Sequence, residues 1–314
     1  METRKLIKFG NSSHVVSLPT SWLKKHSLNK GDSVFMKENE HDLILSYETK
    51  EYVREPTAIV INCDSKSNEI LAREILSAYF NHFNTISLVG KEIPKKAKDV
   101  STIIHNLVAL EIVEQTSTKI IAKDFLKLEE VSIPEIARKA DITTRSMLED
   151  ARLTIGKNNY KALIEKDQSV NKLCFLLFKV IRTVIKDPSI AKSFKLDGIE
   201  LFDYWLLTDN LEHLADETKR VARFVSKMNL SEEAKKDLRK IFMDIEDSYL
   251  EVMKAFYQKD RELAYDVSSK KTIIIKECDT FLEKHSGPLV GNLVEKLKSM
   301  NNSVKKISRI VYTQ

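Results

Sequence analysis

Hydrophobic positions along the chain follow three different patterns. Up to about residue 50, apolar and polar residues alternate in short runs around one helical stretch that opens at Pro19, which predicts strands and a helix in the order ββαββ. Between residues 51 and 130, strand-like runs such as TAIVINC and TISLVG alternate with helical segments, which predicts a small α/β domain. From residue 131 onwards the period is helical almost throughout.

Turn-forming residues divide the helical part into segments of 20 to 30 residues. The predicted helices cover residues 133–156, 160–187, 197–228, 231–257, 260–284 and 287–312. Long helices joined by short turns form antiparallel bundles, so we expect two three-helix bundles, at 131–228 and 229–314. The expected fold class is α+β multidomain, with a β domain at 1–50, an α/β domain at 51–130 and the two all-α bundles after residue 130.

Charge is concentrated near the N-terminus. The whole chain has 51 Lys and Arg against 46 Asp and Glu, but residues 1–30 hold six basic side chains against the single acid Glu2. Lys and Arg that neutralise phosphates supply much of the affinity of proteins for DNA. Charge alone leaves two interpretations open for this cluster, a solvated surface and a nucleic-acid contact.

Composition also excludes several classes of protein. Only 7 glycines occur in 314 residues, and there is no Gly-rich phosphate loop, GxSxG or HExxH motif, so we do not expect an enzyme. The three cysteines are far apart, as is typical of free thiols in a reducing cytosol. The longest apolar run, 173–185, contains Lys179 and Arg182 and is too short to span a bilayer. We expect a cytoplasmic protein without an apolar leader segment.

The first fifty residues contain two spaced motifs. Lys8-Phe9-Gly10-Asn11-Ser12 precedes Leu18-Pro19, and Leu28 precedes Gly31-Asp32 and Val34. Over residues 3–48 this pattern resembles the swapped-hairpin fold of the AbrB and MazE families. The resemblance implies a homodimer formed by this domain. It also implies DNA contact through the N-terminal strand and the loop after it, here Arg4, Lys5, Lys8, Asn11, Ser12 and Ser13. The same fold serves only as a dimeriser in some antitoxins.

A second candidate site consists of three carboxylate residues on one predicted helix. Asp209, Glu212 and Asp216 have i, i+3, i+7 spacing and share one face of a predicted helix. Stacked carboxylates can gather a hard or borderline metal ion if a second helix adds oxygen ligands. Acidic residues on the solvated face of a long helix are also common, so both interpretations stay open at this point.

The segment from Asn210 to Asp216, continued by Thr218 to Ala222, resembles the D-L-E-R-I-G-D-x-x-x-N-I-A signature of PhoU-type phosphate-uptake regulators. That family has two three-helix bundles that bind metal ions through acidic motifs. Glu212 and Asp216 match the motif, Asp167 falls where the preceding helix of the family carries its acid, and Asp141 corresponds to the acid of the first helix. The resemblance implies a divalent or trivalent metal ion in the first bundle only. In the second bundle Lys298 and Asn302 align with the carboxylate positions, and residues 268–272 lack the expected acids.

The segment from Leu110 to Thr116 is similar to a stretch of archaeal proteins that join an AbrB-like N-terminus to a PhoU-like body. Together the resemblances predict a DNA-binding transcriptional regulator of phosphate uptake, whose helical body senses phosphate status through a metal site or a partner. The alternative is a dimeric adaptor that regulates a phosphate transporter ATPase or a kinase by protein contact, without binding DNA. A metallohydrolase is disfavoured because no general base or electrophile-binding pocket can be identified.

Overall fold

The computed structural model describes residues 3–10, 13–38, 43–47, 57–155, 160–186, 190 and 193–314. The chain forms two compact units, residues 1–55 and 56–314. The predicted α+β class is confirmed, since a small β region precedes a long helical region. The division of residues 131–314 into two three-helix bundles stays a prediction.

The N-terminal unit has the predicted ββαββ order. Its elements are β1 (Ile7–Phe9), β2 (Ser13–Val15), α1 (Thr20–Lys25), β3 (Phe35–Glu38) and β4 (Leu43–Ser46). β1 pairs antiparallel with β2, and β3 pairs antiparallel with β4, so the strands form two separate ribbons. α1 begins directly after Pro19, whose carbonyl accepts hydrogen bonds from the N–H groups of Trp22 and Leu23.

The second unit begins with a sheet that has helices on one face. Its elements are β5 (Ala58–Asn62), α2 (Asn68–Phe80), β6 (Thr85–Val89), α3 (Ile93–His105), β7 (Leu110–Gln115) and β8 (Lys119–Asp124). The strand order is β5-β6-β8-β7; β5 runs parallel to β6, and the other neighbours are antiparallel. Alternate residues of the strands, such as Ile86 and Leu88, are buried together with Leu71 and Ile75 of α2. β5 and β7 are therefore the two edge strands of this sheet.

Six long helices follow, after a 3-10 turn at Leu128–Glu130. They are α4 (Ile133–Thr154), α5 (Tyr160–Lys186), α6 (Gly198–Val225), α7 (Glu232–Gln258), α8 (Arg261–Lys284) and α9 (Val290–Tyr312). The N-cap side chains of α4, α6, α7 and α8 each accept a hydrogen bond from a backbone N–H of the first turn; these caps are Ser132, Asp197, Ser231 and Asp260. Every predicted helix is present with ends within three residues of those expected.

One hydrophobic core runs through all six helices. Leu177 of α5, Leu211 of α6, Phe242 of α7 and Leu297 of α9 are fully buried in the same cluster. The amphipathic period seen in the sequence is thus satisfied by helix–helix burial.

The sheet and the helices are joined along α5. Phe175 of α5 contacts Phe80 of α2 edge to face, with ring centroids 6.0 Å apart. One turn further, the Lys179 ammonium forms an ion pair with Asp124 at the end of β8, with a nitrogen–oxygen distance of 2.5 Å. The Lys179 side chain is 1% exposed, so this charge lies in the interior.

Candidate nucleic-acid surface and carboxylate cluster

The ribbon of β1 and β2 has two chemically different faces. Ile7 and Phe9 lie on one face together with Val15, the cross-strand partner of Ile7. Lys8 and its partner His14 lie on the opposite face. Ile7 and Phe9 are more than half exposed. The ribbon therefore presents an apolar face and a basic face.

The residues predicted to contact DNA lie on and beside this ribbon. Four of the six are described and all four are exposed: Arg4, Lys5, Lys8 and Ser13. Arg4 Nη1 donates a hydrogen bond to Ser17 Oγ at 3.2 Å, which joins the segment before β1 to the segment after β2. The other two predicted contacts, Asn11 and Ser12, lie outside the described residues.

The N-terminal unit has no core of its own in its described part. None of the side chains whose burial is described between residues 3 and 47 is buried. Large apolar side chains are exposed on both ribbons, among them Leu6, Phe9, Met36 and Leu43. An isolated two-stranded hairpin is at best marginally stable in water, and a unit of this size cannot exclude enough apolar surface by itself.

The predicted acidic residues of the first bundle gather between α5 and α6. Asp209, Glu212 and Asp216 follow one another along α6, and Asp167 faces them from α5. The charges of Asp209, Asp216 and Asp167 all act on Glu212. The helices are antiparallel here: Cys174 of α5 contacts the carbonyl of Thr208, and Asp167 contacts the C-terminal end of the cluster.

Two basic residues of α6 occupy the C-terminal end of this cluster. Lys219 Nζ lies 2.6 Å from an oxygen of Asp167 and 2.8 Å from an oxygen of Asp216. Arg220 pairs with Asp216 and also with Glu217, at 2.6 Å in each case. The i, i+3 and i, i+4 spacing from Asp216 was visible in the sequence and could have predicted these pairs. The contact between Lys219 and Asp167 joins two helices, so it could not have been predicted from spacing along one helix.

At the other end of the cluster, Glu212 is held in an unfavourable environment for a charge. Burial, and to a lesser extent the neighbouring carboxylates of Asp209, Asp216 and Asp167, together raise its pKa to about 7. No hydrogen-bond or ion-pair partner of the Glu212 carboxyl is found in the described part of the chain. Glu212 therefore exchanges a proton near neutral pH.

Buried oxygens complete the donor set. Oδ1 of Asp167 and Oδ1 of Asn171, one turn later on α5, are buried without a hydrogen-bond partner in the described chain. Carboxylate and amide oxygens are the ligands that hard cations prefer, so the chemistry of the set fits such an ion. Within the described residues, however, no three acidic, His or Cys side chains converge closely enough to hold a metal ion. Lys219 occupies only Oδ2 of Asp167, so Oδ1 is the oxygen of this carboxylate that a cation could contact.

Asp141 lies in a different network. Its carboxylate, fully buried, accepts two hydrogen bonds from the Arg145 guanidinium at 2.8 Å. It also accepts bonds from the hydroxyls of Tyr249 and Tyr257 at 2.9 and 3.1 Å. Both tyrosines belong to α7, so Asp141 joins α4 to α7. The structure thus places Asp141 in an inter-helix contact, apart from the other four predicted ligands.

The helices of the predicted second bundle carry an acidic pair that the sequence analysis missed. Asp244 of α7 and Glu277 of α8 share a hydrogen bond, and burial together with this neighbour raises the pKa of Asp244 to about 6. The two positions aligned with the family's carboxylates are engaged in other contacts. Lys298 pairs with Asp279, and Asn302 Oδ1 accepts a hydrogen bond from Lys271 Nζ at 3.0 Å.

The raised pKa of Glu212 predicts a pH-dependent stability. Between the ordinary pKa of 4.5 and about 7, the folded protein holds more protons at this site than the unfolded chain, so stability falls as the pH rises. We expect Glu212→Gln to leave the melting temperature unchanged at pH 4. At pH 8 the variant should melt at a higher temperature than wild type, because its free energy of unfolding is larger by roughly 1 kcal/mol. Thermal denaturation across this range measures the difference. Glu165→Gln, at an exposed position of α5, controls for the lost charge. Parallel profiles of Glu212→Gln and wild type would contradict the assignment.

Comparison of the chain with known protein families, with curated proteins and with solved structures finds no match. None of the helices in the described residues combines the length and the apolar character that crossing a membrane requires.

Proposed function

We propose that the protein is a dimeric DNA-binding regulator of phosphate uptake, in which the N-terminal unit contacts DNA and the helical body senses phosphate status. One observation carries the first half of the proposal. The β1–β2 ribbon has an apolar face and a basic face in a unit that has no buried described residue. A second copy of the chain could bury the apolar face, and an anionic polymer such as DNA could contact the basic face.

Two copies that interlace their ribbons would remove the faces of Ile7, Phe9 and Val15 from water and form the core that one copy lacks. The opposite faces would then bring two copies of Lys8 to one surface, beside the segments before β1 that carry Arg4 and Lys5. Cations on a β-ribbon can reach phosphates and the major groove of a duplex. Phosphate contacts of this kind give affinity and register, and base contacts from the neighbouring loop would give specificity.

The sensing half rests on the carboxylate cluster of α5 and α6. The buried oxygens of Asp167 and Asn171, which have no hydrogen-bond partner among the described residues, and the carboxyl of Glu212 offer oxygen ligands to a divalent or trivalent cation. Lys219 neutralises the same carboxylates when no cation is bound. The restriction to phosphate uptake comes from the resemblance of Asn210 to Ala222 to the PhoU signature. A metal ion or a protein partner would then carry phosphate status to this site.

A salt titration of DNA binding tests the proposal. We compare the full chain with a variant in which Arg4, Lys5 and Lys8 are replaced by alanine, using a 30-base-pair duplex of mixed sequence. Loss of these phosphate contacts should lower affinity about 100-fold or more near 100 mM salt. It should also reduce the slope of log K against log salt by about three for each chain.

The matched control replaces three exposed lysines of the helical body, Lys139, Lys161 and Lys254, by alanine. It changes the net charge equally but should change the salt slope little, because these residues lie outside the proposed surface. If affinity and slope are the same in all three proteins, the DNA-contact assignment is wrong. The dimeric adaptor then becomes the better description.

A further inference from the structure

The two edges of the four-stranded sheet differ in how they are protected. An edge strand exposes unpaired backbone groups that invite another strand, and proteins usually guard it with charges, proline or a bulge. β7 has such guards, because it carries Glu111 and Glu114 and a register shift between Ile112 and Glu114. β5 has the sequence AIVIN, without charge or proline, and its central Val60 is 67% exposed. No described strand covers the β5 edge, which has none of the features that discourage pairing.

Backbone geometry shows which groups of β5 point outward. In a parallel pair, alternate residues direct both their N–H and C=O to the same neighbour. The Thr57 carbonyl and the Cys63 N–H bond to β6, so the odd-numbered residues of β5 face that strand. Ala58, Val60 and Asn62 accordingly turn their N–H and C=O to the open edge. Among the described residues, none pairs with these groups.

A groove of about 570 Å³ runs along this edge, between β5 and α2. Its apolar lining includes Ile59, Ile70 and Phe83, and its rim carries Lys66, Arg73 and Glu74. The groove thus combines apolar surface with a row of backbone groups that no described residue pairs with, as in sites that accept an added strand.

We propose that β5 pairs antiparallel with β5 of a second copy of the chain, about a two-fold axis at Val60, to form one continuous eight-stranded sheet. Rotation about this axis places Val60 opposite Val60 and Ala58 opposite Asn62, so no charge meets a like charge. All three outward-facing residues of one copy meet outward-facing residues of the other, which satisfies their N–H and C=O groups. The groove rim carries both signs of charge, so it does not repel its own symmetry copy.

A second copy is favoured over a foreign peptide because of where β5 lies in the chain. β5 begins eleven residues after Tyr47, the last described residue of the N-terminal unit, so the two are joined by a short stretch of the same chain. If that unit dimerises, it tethers two β5 strands to one another at an effective concentration of about millimolar. This step rests on the N-terminal dimer of the proposed function, whereas the open edge and the groove do not.

Cysteine cross-linking of the full chain tests the pairing. Facing Cα atoms of a hydrogen-bonded antiparallel pair are about 5.5 Å apart, within the range that a disulfide spans. We expect Val60→Cys to give a covalent dimer on mild oxidation or with a short bis-maleimide. Val113→Cys, on the guarded edge strand β7, is the control and should stay uncross-linked. The native Cys63, Cys174 and Cys278 are fully buried and should contribute no background.

Sedimentation and the DNA titration separate this inference from the proposed function. If Val60→Cys cross-links no more than Val113→Cys while the chain sediments as a dimer, the β5 pairing is wrong and the N-terminal dimer stands. If Val60→Cys cross-links but the variant at Arg4, Lys5 and Lys8 binds DNA as wild type does, the pairing stands and the DNA contact fails. Cross-linking of Val60→Cys to another protein in place of a second copy would also overturn the pairing.

Discussion

Replacement of Asp124 by alanine should destabilise the protein by about 3–5 kcal/mol, one of the two largest effects that we expect of a single substitution. The Lys179 ammonium that pairs with Asp124 is 1% exposed and lies 3.9 Å from the ring centroid of Tyr79. Without the carboxylate, the buried ammonium loses this close ion pair, and breaking a buried pair by removing one partner is strongly destabilising. Chemical denaturation of the purified variant measures the loss.

Asp279→Ala is the matched control, because Asp279 also pairs with a lysine, Lys298, but both side chains are substantially exposed. Exposed pairs contribute at most about 1 kcal/mol, so this variant should unfold close to wild type. The double variant Asp124→Leu with Lys179→Met should recover much of the stability, since it removes both charges together. Equal destabilisation by Asp124→Ala and Asp279→Ala would show that the buried ion pair contributes no more to stability than the exposed one.

The long helices could be predicted because their pattern is local. An apolar stripe with a period of 3.6 residues, begun by caps such as Ser231 and Asp260, defines a helix without reference to its neighbours. The four strands of the α/β layer were predictable for the same reason, from short apolar runs between turns. Their order β5-β6-β8-β7 was not, because strand order depends on contacts between distant segments.

In the candidate sites too, the features that are local in sequence could be predicted and the contacts between distant segments could not. Asp209, Glu212 and Asp216 could be placed on one helical face because spacing on a helix is local. Asp167 was predicted only through the family resemblance, and in the structure its charge acts on Glu212 from α5. The contact of Lys219 with Asp167 depends on how two helices pack, so it has no local sequence pattern, unlike the i, i+3 pair of Lys219 and Asp216. Asp141 shows the opposite case: alignment to a motif suggested a metal ligand, but in the structure three side chains donate hydrogen bonds to this carboxylate.

Asp141→Ala is expected to cost about 3–5 kcal/mol of stability. The Asp141 carboxylate is fully buried and bonds to Arg145, Tyr249 and Tyr257, so its removal leaves a guanidinium and two hydroxyls without their acceptor. Tyr249 is fully buried and cannot turn to water. Asp141→Asn, which keeps the shape and an acceptor oxygen, should be less destabilising than the alanine variant. Denaturant titrations of the two variants give the comparison.

The same variant decides whether Asp141 belongs to the metal site. Elemental analysis after loading with a divalent or trivalent cation, at a temperature where all proteins are folded, should find equal metal content in Asp141→Ala and wild type. Glu212→Ala, which removes a carboxyl of the α5–α6 cluster, should bind less. If Asp141→Ala binds less metal than wild type without being less stable, Asp141 is a metal ligand after all. Equal metal content in all three proteins would exclude Glu212 as a ligand, and with it the sensing site that we propose.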